Sequence, residues 1–426
     1  MTVRRRIVRW SGALALAAIL VAVVFYWAVP AEARSLARDG RREAAAAVMA
    51  KVEQMAPASA APTATAGISV TAVTADAPSA FRFGVAGDMG GVGAAADSFA
   101  ALAKAKPDFF LAIGDLSYDD IAPEKAWCNF VKKQLGDTYP FEVLVGNHEE
   151  LATSKSGFID NFAKCLPDRL GEQGRYAHRY YFDYPADTPI ARFIFIDPDL
   201  PRGDMDAEYC RSGDKSNCKW LKEAIDEAQA EGLWTIVSMH KVCISVGEKP
   251  CEVGGELLNL LLERKVDLVL QGHDHGYQRT KQLGLSDACP ELEPDVYDGD
   301  CIASDGGDGA AFRRGAGSIF VVSAAFGQDP YPINLDDPEV PYVALWMDDS
   351  NESKGWMEFT VTKDSIDGRF VSVTGPLTDP FTISGPPVAP VATPAVKDPV
   401  KATPKSPVKA TEVPAVLPTI TPVPSK

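Results

Sequence analysis

Basic residues are the scarcer charged residues in this 426-residue chain, with 42 Lys and Arg against 58 Asp and Glu and a net charge of −16. The flanks are mildly basic, +4 over residues 1–80 and +3 over residues 386–426, so residues 81–385 carry −23. Proteins bind nucleic acid largely by neutralising its phosphates with Lys and Arg. We therefore expect no nucleic-acid partner, and we expect any bound phosphate to be attracted by a local positive centre such as a metal cluster.

Long apolar runs are also rare, and only the segment Trp10–Val29 is long enough to span a bilayer. It follows Arg4, Arg5, Arg6 and Arg9, and an A-x-A-like cleavage site follows it at residues 31–33. Residues 1–33 are therefore predicted to be a signal peptide or an uncleaved signal anchor through residues 10–29. Either one exports the rest of the chain, which would be secreted, periplasmic or membrane-anchored and facing outward.

The C-x-x-C spacing typical of structural metal sites is absent, which argues against cysteine as a metal ligand. Eight cysteines in an exported chain indicate disulfides. Although eight cysteines allow 105 pairings, successive pairs close short loops. We predict three such pairs and a fourth by elimination: Cys210–Cys218, Cys243–Cys251, Cys289–Cys301 and Cys128–Cys165.

Composition divides the chain into segments, and no internal repeat is visible. Residues 34–80 form an Ala-rich stalk or linker, and residues 386–426, with 11 Pro, are predicted to be a disordered tail. Between them, residues 81–385 alternate strand-like and helix-like segments, which predicts an α/β fold with antiparallel pairing near its end. Strands are predicted at 81–86, 109–113, 141–145, 191–196, 233–239, 266–270, 318–324, 356–361 and 369–373. Helices are predicted at 94–105, 126–135, 220–230 and 256–265.

Residues able to bind metals follow five of these strands. Ligands bind at the carboxyl ends of strands in open α/β sheets, so these side chains are expected to converge. Four of the five histidines lie in these turns, and the fifth, His178, is predicted to be structural or on the surface. The five turns are Gly87-Asp88-Met89-Gly90, Gly114-Asp115-Leu116-Ser117-Tyr118, Gly146-Asn147-His148-Glu149, His240, and Gly272-His273-Asp274-His275.

This ordered set resembles the calcineurin-like metallophosphoesterases and, within them, the purple acid phosphatases. Most metallophosphoesterases have a histidine two residues after the first aspartate. Here that position is Gly90, and Tyr118 lies three residues after Asp115, which is the purple acid phosphatase pattern. The resemblance covers about residues 81–330 and implies a four-layer αββα sandwich as a single catalytic domain over residues 81–385.

The resemblance also implies roles for these residues. Asp88, Tyr118 and His275 would bind Fe(III), whereas Asn147, His240 and His273 would bind a divalent Fe, Zn or Mn ion. Asp115 would bridge the two ions, and His148 would contact phosphate and donate a proton. Hard oxygen ligands suit ferric iron, which agrees with this division. Lys241, next to His240, is a position to which no family role is transferred.

The predicted activity is hydrolysis of small phosphate monoesters by a metal-bound hydroxide, as in an acid phosphatase. A phosphodiesterase or nucleotide hydrolase on the same scaffold is one alternative, since the ligand set does not distinguish them. A non-catalytic cell-surface adhesion protein is another. The insert at residues 283–316 is predicted to be a disulfide-tethered rim loop, in which Arg313 and Arg314 either contact substrate or lie on the surface.

Overall fold

The computed structural model describes residues 80–149, 157–200, 209–210 and 216–387. The predicted signal or anchor, nearly all of the linker and nearly all of the Pro-rich tail lie outside these residues. Within the described ranges, no helix is long and apolar enough to cross a membrane.

Seventeen β-strands and five α-helices are found in the described part of the chain. The strands are β1 (Ala80–Ala86), β2 (Phe109–Ile113), β3 (Phe141–Leu144), β4 (Gln173–Arg175), β5 (Arg179–Tyr184), β6 (Ala191–Phe195), β7 (Trp234–Ser238), β8 (Leu268–Gln271), β9 (Tyr277–Thr280), β10 (Gln282–Leu283), β11 (Ile302–Ser304), β12 (Ala311–Arg313), β13 (Ile319–Ser323), β14 (Val343–Trp346), β15 (Gly355–Thr362), β16 (Ser365–Ser372) and β17 (Phe381–Ser384). The helices are α1 (Ala94–Ala105), α2 (Glu124–Leu135), α3 (Ile159–Cys165), α4 (Ser216–Ala230) and α5 (Gly255–Glu263).

The strands form two large sheets and one two-stranded ribbon, β10-β11. One large sheet has the order β12-β17-β16-β15-β1-β2-β3, and the other has the order β14-β9-β13-β8-β7-β6-β5-β4. Strands β1, β2 and β3 are parallel, as are β6, β7, β8 and β13. Parallel strands covered on both faces consist largely of apolar residues, and all five residues of β2 and of β7 are buried.

The two large sheets pack face to face through aromatic side chains. Phe83 of β1 meets Phe193 of β6 with ring centroids 4.9 Å apart, and Phe109 of β2 meets Phe182 of β5 at 5.8 Å. The edge-to-face geometry of both pairs is favourable beyond the area they bury. This aromatic layer fixes the sheets against each other.

Helices cover the outer face of each sheet. Helix α1 buries Ala95, Ser98, Phe99 and Leu102, the spacing of one helical face, and Phe99 reaches Phe141 of β3. On the other side, apolar residues of α4 and α5 share a core cluster with residues of β7 and β8. The order helix, sheet, sheet, helix is the predicted αββα sandwich, and the predicted fold class is confirmed.

Several boundaries differ from the predicted ones. Helix α2 begins at Glu124, two residues early, and α4 is already helical at Ser216, the first described residue of its range and four residues before the predicted start. The predicted hairpin is present as β15–β16, paired from Gly355 with Ser372 to Val361 with Ile366. The sequence did not indicate eight further strands, which extend the two large sheets at their ends or form the β10-β11 ribbon: β4, β5, β9, β10, β11, β12, β14 and β17.

All four predicted disulfides are present, and no cysteine is free. Four disulfides are typical of a protein that folds in an oxidising compartment.

Candidate metal centre

The predicted ligands come from both large sheets. Asp88, Asp115 and Asn147 follow β1, β2 and β3 of the first sheet, whereas His240 and His273 follow β7 and β8 of the second. The carboxyl ends of these parallel strands meet at one edge of the sandwich. The centre therefore lies where the two sheets come together.

The backbone at these turns is conformationally unusual. Asp88, Asp115, Tyr118 and His273 have positive φ angles of 57°, 51°, 49° and 66°. Non-glycine residues held in this left-handed region cost about 1–3 kcal/mol each and concentrate at functional sites. Four of the seven predicted metal ligands share this feature.

Glycine is required where two of these turns approach each other. Gly114 has a φ of 94°, and a Cβ at this position would lie 2.5 Å from His240 Nδ1. A side chain there would displace His240 from the edge of β2. The Gly-Asp sequence at 114–115 thus permits the close approach of the first and second sheets.

One group of donor atoms surrounds the Tyr118 hydroxyl. Tyr118 Oη lies within hydrogen-bond distance of Asp88 Oδ1 at 3.0 Å, Asp115 Oδ2 at 3.1 Å and His275 Nε2 at 2.9 Å. His275 Nε2 is also 3.3 Å from Asp88 Oδ1. These four side chains are the predicted Fe(III) ligand set together with the predicted bridge.

A second group surrounds His240 Nε2. This nitrogen lies 3.1 Å from Asn147 Oδ1 and 3.3 Å from Asp115 Oδ1. One ligand atom from each of Asp115, His240 and His273 lies within 4.8 Å of the others. The second group thus contains the three residues predicted for the divalent ion, again with Asp115.

Asp115 belongs to both groups through different oxygens. Its Oδ2 faces Tyr118 and its Oδ1 faces His240. Its side chain is buried, and the backbone N–H of His148 also donates to Oδ1 at 2.9 Å. A carboxylate placed in this way can bridge two cations.

The ionisation of these residues reflects their mutual proximity. Burial raises the pKa of Asp115, but the imidazoles of His240 and His148 lower it well below its usual range. Burial lowers the pKa of His240, yet Asp115 and Asp88 raise it to about 9. Burial, together with Asp88 and Asp115, raises the pKa of the Tyr118 hydroxyl above its usual range. The carboxylates therefore retain protons on their neighbours, and bound cations would have to displace these protons.

Three imidazoles are oriented by acceptors outside the two groups. His240 Nδ1 lies 3.0 Å from the carbonyl of Ile113, and His275 Nδ1 lies 3.2 Å from the carbonyl of Asp329. With Nδ1–H directed to a carbonyl, Nε2 is the nitrogen of each ring that would bind a cation once its proton is displaced. For His273 the pattern is reversed, since its Nε2 lies 2.8 Å from Glu252 Oε2.

His148 lies at the mouth of the centre. Its side chain is 49% exposed, and its Nε2 is 3.8 Å from Asp115 Oδ2. Its ring lies 4.3 Å from the Tyr118 ring. This position leaves the imidazole able to reach both solvent and a group bound at the centre.

The donor set fits a pair of cations. Two buried carboxylates, a phenol, an amide oxygen and three imidazoles converge, and the ion pairs of Asp88 and Asp115 among the described residues are with histidines. Buried carboxylates are costly unless charges of opposite sign offset them. Cations bound at these donors would supply that charge.

Three further residues support the centre and had no role in the sequence-based prediction. Glu149 is buried and accepts backbone N–H groups of Asp115, Leu116 and Gly146 at 2.9, 2.8 and 3.0 Å. Glu252 contacts His273, and the ring of Tyr331 stacks on His275 at 4.2 Å. Glu149 follows His148 directly in the sequence. A carboxylate in the turn that carries two predicted site residues could therefore have indicated a supporting role for Glu149.

Two other predicted residues lie away from the centre. His178 is buried, with Nδ1 3.2 Å from Asp197 Oδ2, in line with its predicted structural role. Arg314 is also buried and pairs with Asp267 at the amino end of β8. Both alternatives for Arg314, substrate contact and a surface position, are wrong, because the ion pair with Asp267 holds it inside the sandwich. Arg313 is exposed.

The insert at residues 283–316 packs on the outer side of the molecule. Asn259 of α5 donates to the carbonyl of Leu292 at 2.9 Å, and β12 pairs with β17 at the edge of the first sheet. These contacts attach the insert to α5 and to β17. Its predicted role in substrate access stays a prediction.

Part of the chain is similar in sequence to known phosphoesterases. Residues 81–277 match the calcineurin-like phosphoesterase family. Purple acid phosphatase 18 of Arabidopsis thaliana is 29% identical over 232 residues, which cover 51% of this chain and 49% of that protein. A purple acid phosphatase of Glycine max is 26% identical over 225 residues, covering 48% and 44%. The chain spans about half the length of the curated relatives it matches.

Among solved structures, purple acid phosphatase PPD1 from yellow lupin (Lupinus luteus) seeds aligns with 72% of this chain and 54% of that chain. The sequence identity is 18% and the TM-score is 0.49.

Proposed function

Because the chain is a purple-acid-phosphatase-like member of the calcineurin-like metallophosphoesterases, we propose that it hydrolyses small phosphate monoesters with a binuclear Fe(III)–M(II) centre. The observation that supports this best is the division of Asp115 between the two groups of donors, Oδ2 toward Tyr118 and Oδ1 toward His240.

The two groups differ in chemistry, which supports two different metals. Asp88, Tyr118 and His275 with Asp115 offer mostly anionic oxygen, which suits a ferric ion. Asn147, His240 and His273 offer one neutral oxygen and two imidazoles, which suit divalent Fe, Zn or Mn. Two such cations, when bound, offset charge on phosphate oxygens and provide a nucleophilic water at neutral pH.

The protein side chains supply orientation and proton transfer. Asp115 accepts the backbone N–H of His148 and so fixes the turn that carries this imidazole. From the half-exposed mouth, His148 as imidazolium donates its proton to the leaving oxygen of the ester. A positioned general acid of this kind contributes about 10²–10⁴-fold to the rate.

We also propose that the enzyme acts outside the cytoplasm. Four disulfides and the apolar run at residues 10–29 behind four arginines support export. Residues 10–29, which could anchor the chain in a membrane, lie outside the residues that the structure describes.

The test is hydrolysis of an aryl phosphate monoester and the matching diester by the full-length chain across pH. We expect the monoester to be cleaved faster, and we expect His148→Ala to reduce the rate about 10²–10⁴-fold without loss of bound metal. Preference for the diester would replace the proposal with a phosphodiesterase. Metal-free wild-type protein without turnover would favour a non-catalytic binding protein.

The identity of the ferric ligand has a separate spectroscopic test. A phenolate on Fe(III) gives the protein a visible absorption band, so Tyr118→Phe should abolish the colour while iron remains bound. Persistence of the band in this variant would show that Tyr118 is not the phenolate ligand.

A further inference from the structure

A chain of ion pairs extends from the centre to the end of β6. His273 Nε2 lies 2.8 Å from Glu252 Oε2, and Glu252 Oε1 lies 3.2 Å from Lys241 Nζ. Lys241 Nζ in turn lies 3.1 Å from Asp199 Oδ2. Each oxygen of Glu252 thus has its own cationic or N–H partner.

This chain distinguishes His273 from the other two candidate histidine ligands. The Nδ1–H groups of His240 and His275 donate to backbone carbonyls, which no side-chain change removes. For His273 the outer neighbour is instead a carboxylate, with Nε2 2.8 Å from Glu252 Oε2, so the orientation of His273 depends on one side chain. An outer acceptor fixes both the tautomer and the ring orientation of a metal-binding imidazole.

A disulfide brings Glu252 to this position. Lys241 directly follows His240, and Glu252 directly follows Cys251, which is bonded to Cys243. The backbone N–H of Glu252 donates to the carbonyl of Val242 at 3.2 Å. The closed loop therefore returns the chain to the end of β7 and sets Glu252 beside Lys241.

The contacts of Glu252 with Lys241 and His273 are partly buried, which holds the Glu252 side chain in place. The side chains of His273, Lys241 and Glu252 are 10%, 13% and 24% exposed. Partly buried, charge-assisted hydrogen bonds of this kind are stronger than neutral ones.

We propose that Glu252 is a positioning residue for the divalent-metal half of the centre, held in place by Lys241 and Asp199. By accepting the Nε2–H of His273, Glu252 directs Nδ1 of that ring toward Asp115 and His240. Lys241 occupies the other oxygen of Glu252 and prevents the carboxylate from turning away. The inference rests on the proposed function, since it assigns His273 to a metal.

The test measures metal affinity rather than turnover alone. The full-length chain is stripped of metal with a chelator and titrated with Zn²⁺, and two binding events are resolved by calorimetry. The variants are Glu252→Gln and Lys241→Met. Glu248→Gln is the matched control, because Glu248 is an exposed carboxylate in the same loop.

We expect Glu252→Gln to weaken one of the two Zn²⁺ sites by about 10-fold or more, as loss of an outer acceptor of a metal-binding histidine typically does. Lys241→Met should weaken the same site by a smaller factor, and Glu248→Gln should bind like the wild type. Excess Zn²⁺ should restore full occupancy of the weakened site in Glu252→Gln. Thermal unfolding of the metal-free variants should match the wild type, which separates orientation of His273 from a general loss of folding.

The outcomes separate this inference from the proposed function. If the wild type binds two Zn²⁺ ions and Glu252→Gln binds both with unchanged affinity, the positioning role is wrong and the proposed function stands. If the wild type binds no Zn²⁺, the proposed function and this inference fail together. Should Glu252→Gln not fold, an unchanged Zn²⁺ affinity in Lys241→Met would overturn the proposed role of Lys241.

Discussion

Strands β7 and β8 have buried charged residues at both ends, and the two ends differ in how those charges are partnered. At the amino ends, Arg314 Nε lies 3.4 Å from Asp267 Oδ1, and the guanidinium lies 3.9 Å above the Trp234 ring. At the carboxyl ends, His240 and His273 approach the carboxylate of Asp115. No Lys or Arg pairs with that carboxylate in the part of the chain that the structure describes.

The difference separates a structural ion pair from a binding site. Asp267 and Arg314 are both about 1% exposed at their side chains, and each offsets the charge of the other. Asp115 and Asp88 have only imidazoles as ion-pair partners among the described residues. A buried acid cluster that lacks a permanent internal cation can accept an external one, whereas a matched pair has no need of it.

The largest expected effect is a loss of stability when the ion pair at the amino ends of β7 and β8 is broken. Asp267→Asn leaves the Arg314 guanidinium buried without its counter-charge, so the free energy of unfolding should fall by about 3–5 kcal/mol. Urea unfolding of the metal-free protein measures this loss. Arg313→Ala, at the exposed neighbouring arginine, should leave the midpoint unchanged. A loss below about 1 kcal/mol in Asp267→Asn would mean that the pair contributes little.

The converse change is Asp115→Asn at the carboxyl ends. It removes the carboxylate shared by the two donor groups, so bound metal should be lost and turnover should fall by about 10²–10³-fold or more. Metal content per chain and ester hydrolysis measure the two effects. Asp119→Asn, at an exposed residue of the same turn, is the matched control and should behave like the wild type. Retention of two metals with normal turnover in Asp115→Asn would contradict the bridging role.

A smaller expected effect is the contribution of Glu142, on β3, to the pH dependence of stability. Burial and the nearby Asp168 raise the pKa of Glu142 from 4.5 to about 8. Between these values the folded protein retains a proton that the unfolded chain releases, so this group makes stability fall as pH rises through that window. The slope cannot exceed about 1.4 kcal/mol per pH unit.

Glu142→Gln removes this slope and can still accept the backbone N–H of Arg169, which donates to Glu142 at 3.1 Å. The stability of the variant relative to the wild type should therefore increase from pH 5 to pH 8. Urea unfolding at several pH values tests this, and a difference that stays constant with pH would contradict it.

Strands with clear apolar patterns were predictable from the sequence, and polar buried strands were not. The segment Phe109–Ile113 is apolar throughout and was assigned correctly. Strand β9 reads Tyr-Gln-Arg-Thr, yet all four residues are buried. Arg279 pairs with Asp379 at 2.5 Å, and Gln278 bonds to Ser245 at 2.9 Å. Such distant partners make a polar strand stable in the interior, and local sequence gives no sign of them.

The same contrast applies to the candidate centre. Residues directly after strands, such as Asp88 and His273, could be proposed as ligands from the sequence because the fold class predicts where those strands end. Glu252 and Tyr331 reach the centre from loops, and their positions depend on a disulfide and on a hydrogen bond to His275. Glu252 follows Cys251 in the loop after β7, and His240 lies at the start of that loop. This position in the sequence could have indicated Glu252, but no comparable sequence feature indicated Tyr331.

The supply of ligands from both sheets has a consequence for maturation of the protein. Asp88 follows a strand of one sheet and His275 follows a strand of the other. Both sheets must therefore form and pack together before the proposed centre exists. Metal would then bind only the folded chain, and at 1,000 times its dissociation constant it would add about 4 kcal/mol to the stability. Metal availability in the compartment where the chain folds would therefore govern how much folded protein accumulates as well as how much is active.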